Sequence, residues 1–384
     1  MKKLIGAIIF TAMVAVTMVG CGSKADTPNT VTPTTGAKAG NTETESGLKI
    51  AIVSSPSGVD DGSFNENNYN GVLKFIESHP NATVTPVKEE TGDTAAAVQA
   101  VADIVADYDV IVACGFQFAG ITQVAKDNPE VDFILVDSFP TDDEVIDNIY
   151  AMTFAEQESG FYAGMAAALE SKTKKVAVVN GVAYPSNVNY QYGFESGVNY
   201  ANKKFNTGVE VIELASYAGT DVTGANVGGN YVGSFADEPT GKVVGKTLIA
   251  EGVDILFVAA GGSGNGVFTA AKEAGVKVIG CDVDQYNDGV NGDTNIILTS
   301  VLKVMDLNVE KQLTAVADGT FEGKNDLLKA DTDSTGYVKA DGRHQLSADT
   351  ITKIDEAYEL VKAGTIVPAA NFNGITSDNF PGLE

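Results

Sequence analysis

The sequence predicts an α/β protein with two doubly wound, Rossmann-like lobes. Short, nearly continuous apolar runs alternate with helical patterns, as parallel strands covered on both faces require. These runs are too many for one sheet, and the pattern restarts near Lys175. Glycine, at 41 of 384 residues, suits a chain of many strand–loop–helix turns.

The elements follow in chain order. Lys2 and Lys3 precede an uncharged apolar stretch, so 1–20 read as a secretion signal, too short for a resident membrane span. Met18-Val19-Gly20-Cys21 resembles a bacterial lipobox, whose cysteine is acylated with palmitate-type chains and becomes the mature N-terminus. The protein is therefore expected on the extracytoplasmic face of the cell membrane, held by lipid on Cys21. Residues 21–47, rich in Thr, Pro, Gly and Asn, read as the lipidated cysteine and a disordered tether. Strand-like runs follow at 49–54, 83–87, 110–113, 133–136, 149–153, 176–179, 209–214, 255–259, 276–280 and 296–300. Helical patterns lie at 65–78, 94–106, 157–169, 190–203, 243–250, 266–274 and 301–317. We assign 48–152 plus about 283–320 to the first lobe, 153–282 plus about 321–370 to the second, and 371–384 to a tail.

Composition excludes several functions. A net charge of −26 repels nucleic acid and anionic headgroups. No CxxC or Cys/His cluster offers a zinc site, and no cofactor is called for. Cys114 and Cys281 each follow an apolar run and read as buried thiols, with one disulfide as the alternative. His79 and His344 are far apart in sequence, so a histidine-based catalytic pair requires the fold to join them.

Ligands of open α/β sheets bind beyond the carboxyl ends of the strands, which makes those loops informative. After the first strand, Asp61 and Ser63 suit helix caps, because short oxygen side chains accept free helix N–H groups. Phe64 stands among polar neighbours including Asn65. An aromatic face beside carboxylate, hydroxyl and carboxamide groups suits a planar polar ligand; the alternative is a staple packing inward. Ser234-Phe235-Ala236-Asp237 repeats this chemistry in the second lobe, so a flat ring between Phe64 and Phe235 is one expectation and two unrelated helix starts the other. Gly261 and Gly262 open a glycine-rich turn that lets a ligand approach the backbone. The spacing is neither GxGxxG nor a P-loop. A carboxylate and an ammonium can bracket vicinal hydroxyls, which suits Asp282 and Lys303, and Asp137 ends another strand; the alternative for each is a cap or a surface charge.

Taken in order, Asp61-Gly62-Ser63-Phe64-Asn65, Gly115-Phe116, the run 128–137, 157–164, 193–197, Gly233-Ser234-Phe235, Gly241-Lys242, 280–285 and 300–303 resemble the basic membrane protein family of substrate-binding lipoproteins, nucleoside-binding components of ABC transporters. The resemblance spans 49 to about 368. Asn180-Gly181 and Phe118-Ala119-Gly120 depart from the family pattern. It implies a type I periplasmic-binding-protein fold with a three-segment hinge. It also implies a purine nucleoside ligand (adenosine, guanosine or inosine), its base stacked between Phe64 and Phe235 and its ribose held by Asp282 and Lys303. Asn65, Asp61 and Gly261 would add polar contacts, and an ABC permease would be the partner. The chain is then a receptor and not an enzyme. The competing readings are a receptor for a sugar or related diol, and a nucleoside hydrolase or NAD-dependent enzyme.

Overall fold

The computed structural model describes residues 47–384, which lie within one compact unit. The expected signal, Cys21 and most of the tether lie outside the described residues. Two six-stranded sheets organise the rest. In the first, Lys324–Leu328, Ile149–Phe154, Asp132–Val136, Val110–Cys114, Lys49–Ser54 and Thr83–Lys88 are neighbours in that order, all parallel. In the second the order is Thr335–Tyr337, Ile297–Lys303, Lys277–Gly280, Ile255–Ala259, Lys175–Asn180 and Glu210–Val211, with only Thr335–Tyr337 antiparallel. This is the two-lobed α/β architecture expected of type I solute-binding proteins.

The central strands are apolar without alternation because both faces of each sheet are covered. Ile50, Ile52, Val112 and Ile134 meet Phe75 and Val309 on one face of the first sheet, and Ala51, Val53, Ile111 and Phe133 meet Val101 and Phe118 on the other. The second sheet is sandwiched likewise, with Phe257 against Phe194 on one face and Leu256 against Leu248 on the other. The helices Glu156–Glu170 and Pro185–Phe205 cross at glycine contacts. A Cβ on Gly164 would stand 2.0 Å from Phe194 O, and one on Gly197 would stand 2.1 Å from Phe161 O.

Three boundaries differ from the sequence reading. The strand Ile297–Lys303 pairs with Lys277–Gly280, so 283–303 stays with the second sheet and the return comes at Met305. The helix expected over 301–317 accordingly starts at Met305, because Val301–Lys303 is still strand. Lys324–Leu328 then pairs with Ile149–Phe154, carrying 324–328 into the first sheet and not the second. The chain crosses between sheets after Phe154, Lys303 and Leu328. The expected tail at 371–384 is packed: Phe380 joins the core beside Phe161, and Asn199 Nδ2 donates to Ser377 O at 2.9 Å. Among the described residues no helix is long and apolar enough to cross a membrane.

Candidate functional site

The carboxyl ends of the two sheets' strands face one another across a cleft of about 580 Å3, counted to its open mouth, within the range of small-molecule sites. Rings supply much of its wall. Phe116 from the first sheet's loops and Tyr184 from the second lie 5.2 Å apart between centroids, and Tyr184 and Phe235 lie 5.9 Å apart. Phe64, the first residue of the helix Phe64–Ser78, adds a fourth ring. Gly181 makes room for Phe235, since a Cβ there would stand 2.2 Å from the ring.

The loop before Phe64 is braced from within. Asp61 accepts from the backbone N–H groups of Ser63 (3.0 Å), Asn65 (3.1 Å) and Glu66 (3.1 Å), and from Asn65 Nδ2 at 2.8 Å. It thus satisfies helix-terminal donors that would otherwise be orphaned. Asn65 Nδ2 also donates to Ser55 Oγ at 2.9 Å. Both side chains line the cleft while holding Phe64 in place. The Phe235 loop is held similarly: Ser263 N donates to Phe235 O at 3.0 Å, and Asp237 caps the next helix through Thr240 N at 3.0 Å.

Charge is concentrated under these rings. Lys303, 2% exposed, pairs with Asp137 and, at 3.0 Å, with Glu156 Oε1, and its ammonium lies 5.2 Å from the Phe64 centroid. Burial alone would lower the Lys303 pKa, but Asp137, Glu156 and Asp282 override it and hold the ammonium above its ordinary range. Burial raises Glu156 despite the attraction of Lys303. It also raises Asp282, against the pull of Lys303 and the hydrogen bond from Tyr190 OH to Asp282 Oδ1 at 2.7 Å. Asp137 and Asp282 both adopt a left-handed backbone, each with φ of 69°, at the exit of a strand. A non-glycine residue there is uncommon and points to local over-determination.

Of the residues singled out in the sequence, Asp61, Phe64, Asn65, Phe116, Asp137, Phe235, Gly261 and Asp282 line the cleft. Two do not. Lys303 lies beneath Phe64, engaged with carboxylates, and Gly262 sits against the lip, where a Cβ would meet Phe235 O at 3.1 Å and Ser57 Oγ at 3.8 Å. Phe64 and Phe235 both line the cleft, and Phe235 packs on Tyr184. The sequence reading missed Tyr184, Asn187, Tyr190, Gln117, Ser55 and Ser57 in the lining, and Glu156 behind it. Cys114 and Cys281 are free thiols in the wall, and burial pushes both pKa values up, so both stay protonated. His79 stacks on Phe75 with centroids 4.1 Å apart, outside the cleft.

The two lobes touch across the mouth. Ser57 Oγ donates to Phe235 O at 2.9 Å, Ser63 Oγ to Asp282 Oδ2 at 3.2 Å, and Gln285 Nε2 to Gly62 O at 3.2 Å. These contacts hold the two lobes together at the cleft mouth.

The family model described as ABC transporter substrate-binding protein PnrA-like matches residues 48–226 and 215–370. A CD4+ T-cell-stimulating antigen of Listeria innocua is 28% identical over 385 residues, covering 95% of this chain and 98% of that protein. The ABC transporter nucleoside-binding protein BmpA of Lactococcus lactis is 28% identical, covering 84% and 87%. Basic membrane protein A1 of Borrelia garinii is 31% identical, covering 69% and 72%. Among solved structures, a solute-binding protein of an ABC transporter system from Aeropyrum pernix superposes with a TM-score of 0.72 at 22% identity, covering 85% and 94%, which is a likeness of fold. With its matched segments spanning both lobes, the chain belongs to the PnrA-like family of ABC transporter substrate-binding proteins.

Proposed function

We propose that this protein is the lipid-anchored, extracytoplasmic receptor that captures purine nucleosides and delivers them to an ABC permease. One observation carries the reading: the cleft combines five aromatic rings with a buried acid, Asp282, while among the described residues no lysine or arginine lines it. Rings suit a purine base, the carboxylate suits vicinal ribose hydroxyls, and a cleft without a facing cation disfavours phosphate. The name of the Lactococcus lactis relative supports the same ligand class. In this reading the base lies against Phe64 and the Tyr184–Phe235 wall, and the ribose bonds Asp282. Asp61, Asn65, Gly261 and Gly262 shape the loops, Phe116 closes one end, and Lys303 pairs with Asp137 and Glu156. Cys21 carries the acyl anchor, and Cys21→Ala should release the protein from membranes.

Calorimetry of residues 47–384 against adenosine, guanosine and inosine should give saturable binding, with the matching 5′-monophosphates much weaker. No binding of any nucleoside at high micromolar concentration would overturn the proposal. A sugar competing more strongly than free base would favour a diol receptor, and release of free base from inosine would favour a hydrolase.

A further inference from the structure

Two side-chain amides in the cleft are oriented by backbone carbonyls that can only accept. Gln117 Nε2 donates to Cys114 O at 3.1 Å, at the end of a first-sheet strand. Asn187 Nδ2 donates to Ala259 O at 2.8 Å, at the end of a second-sheet strand, and to Asn180 Oδ1 at 3.3 Å. A carbonyl partner fixes the amide's orientation: nitrogen points to the strand and oxygen away from it. Both residues line the cleft, with Gln117 4% and Asn187 6% exposed. Among the described residues no hydrogen bond reaches Gln117 Oε1 or Asn187 Oδ1, and neither atom is sealed from the cleft as an orphan. Gly115 permits the first arrangement, because a Cβ there would stand 2.5 Å from Gln117 Oε1. Phe116 follows Gly115 directly and Tyr184 lies three residues before Asn187, and their rings meet at 5.2 Å. Each lobe therefore contributes to the cleft lining one amide whose acceptor oxygen is unengaged.

Resting on the nucleoside reading, we propose that Gln117 and Asn187 are specificity-determining residues that select a purine carrying hydrogen-bond donors on its base edge. Guanine offers a ring N–H beside an amino group, two neighbouring donors for two acceptors. Hypoxanthine offers the ring N–H alone, adenine an amino group beside a ring acceptor, and unsubstituted purine neither. Guanosine is then the preferred ligand, and purine riboside, with the same sugar and a stackable ring, the poorest of the four.

Calorimetry of residues 47–384 with guanosine, inosine, adenosine and purine riboside tests this. Guanosine should exceed purine riboside by at least roughly tenfold, the scale of one net hydrogen bond at a desolvated site. Asn187→Leu and Gln117→Leu should each narrow the guanosine-to-purine-riboside ratio. Equal affinity for purine riboside and guanosine in the unaltered protein overturns the assignment while leaving the nucleoside reading intact. Failure to bind any of the four overturns that reading itself. Ratios unchanged in both variants also overturn the assignment, whatever the variants' stability.

Discussion

Tyr190 donates its hydroxyl to Asp282 across 2.7 Å, although the two residues come from a helix and a strand end 92 positions apart. Asp282 is buried and left-handed, and Ser63 from the other lobe donates to its second oxygen at 3.2 Å. One carboxylate thus joins the second sheet's helix layer to the first lobe's loop, at the point where a ligand hydroxyl would compete for it.

Tyr190→Phe should leave Asp282 Oδ1 with only the weak Cys281 thiol donor, at 3.5 Å. Losing one partner of a buried pair costs about 1–3 kcal/mol. The carboxyl pKa, already raised by burial, should rise further because a bond that favoured the charged form is gone. We expect a lower unfolding midpoint, and nucleoside binding that weakens as pH falls toward the acid range, where Asp282 takes up a proton. Binding with an unchanged pH profile would show that Asp282 is not the ribose acceptor.

Much of this architecture is written in the apolar runs, because strands covered on both faces cannot hide among polar residues. The elements that escaped are those without that constraint. Lys324–Leu328 is an edge strand paired on one side only, mostly exposed or half-buried, and reads as loop. Glu210–Val211 is likewise an edge, shorter than the apolar run 209–214 suggested, since only Lys175 and Val176 pair with it. The site divides the same way. Phe64, Phe235 and the strand-end acids stand out at loop junctions. Tyr184, Asn187, Tyr190 and Glu156 belong to helices or their first turns, where sequence alone does not say which face meets a cleft. The helix-capping role of Asp61 was legible, and it is plain in the three bonds accepted from backbone N–H groups.

Gly181→Ala should act on the ligand wall. Its Cβ would stand 2.2 Å from the Phe235 ring, so the ring must leave its place on Tyr184. A base–aromatic contact is worth about 1–3 kcal/mol, and we expect nucleoside affinity to fall by an amount in that range. Phe64→Ala should fall within the same range. If Gly181→Ala binds normally, Phe235 is not part of the binding wall.

Gly164→Ala reverses an ordinary preference. Alanine in a helix interior usually gains about 1 kcal/mol over glycine. Here the added Cβ would stand 2.0 Å from Phe194 O and force apart the helices Glu156–Glu170 and Pro185–Phe205. Denaturant titration should show net destabilisation of about 1–3 kcal/mol, as overpacking does. A gain in stability would mean that the helix crossing is looser than described.

Glu195 gives a pH-dependence whose sign is fixed by burial. Burial pushes its carboxyl from the ordinary 4.5 up to about 7, against the Gln191 hydrogen bond of 2.9 Å, with Glu213 adding to the rise. Between those two values the folded chain holds a proton that the unfolded chain has released. Its contribution to stability is therefore fully present below pH 4.5 and is lost as pH rises to 7. At about 1.4 kcal/mol per pH unit the loss is on the order of 3 kcal/mol. Glu195→Gln keeps the size and the polarity but removes the titration. Urea unfolding of both proteins at pH 4.5 and pH 8 should show the variant gaining on the parent at the higher pH, and comparing the two differences cancels the other buried acids. An equal stability difference at both pH values would place the Glu195 carboxylate in contact with water.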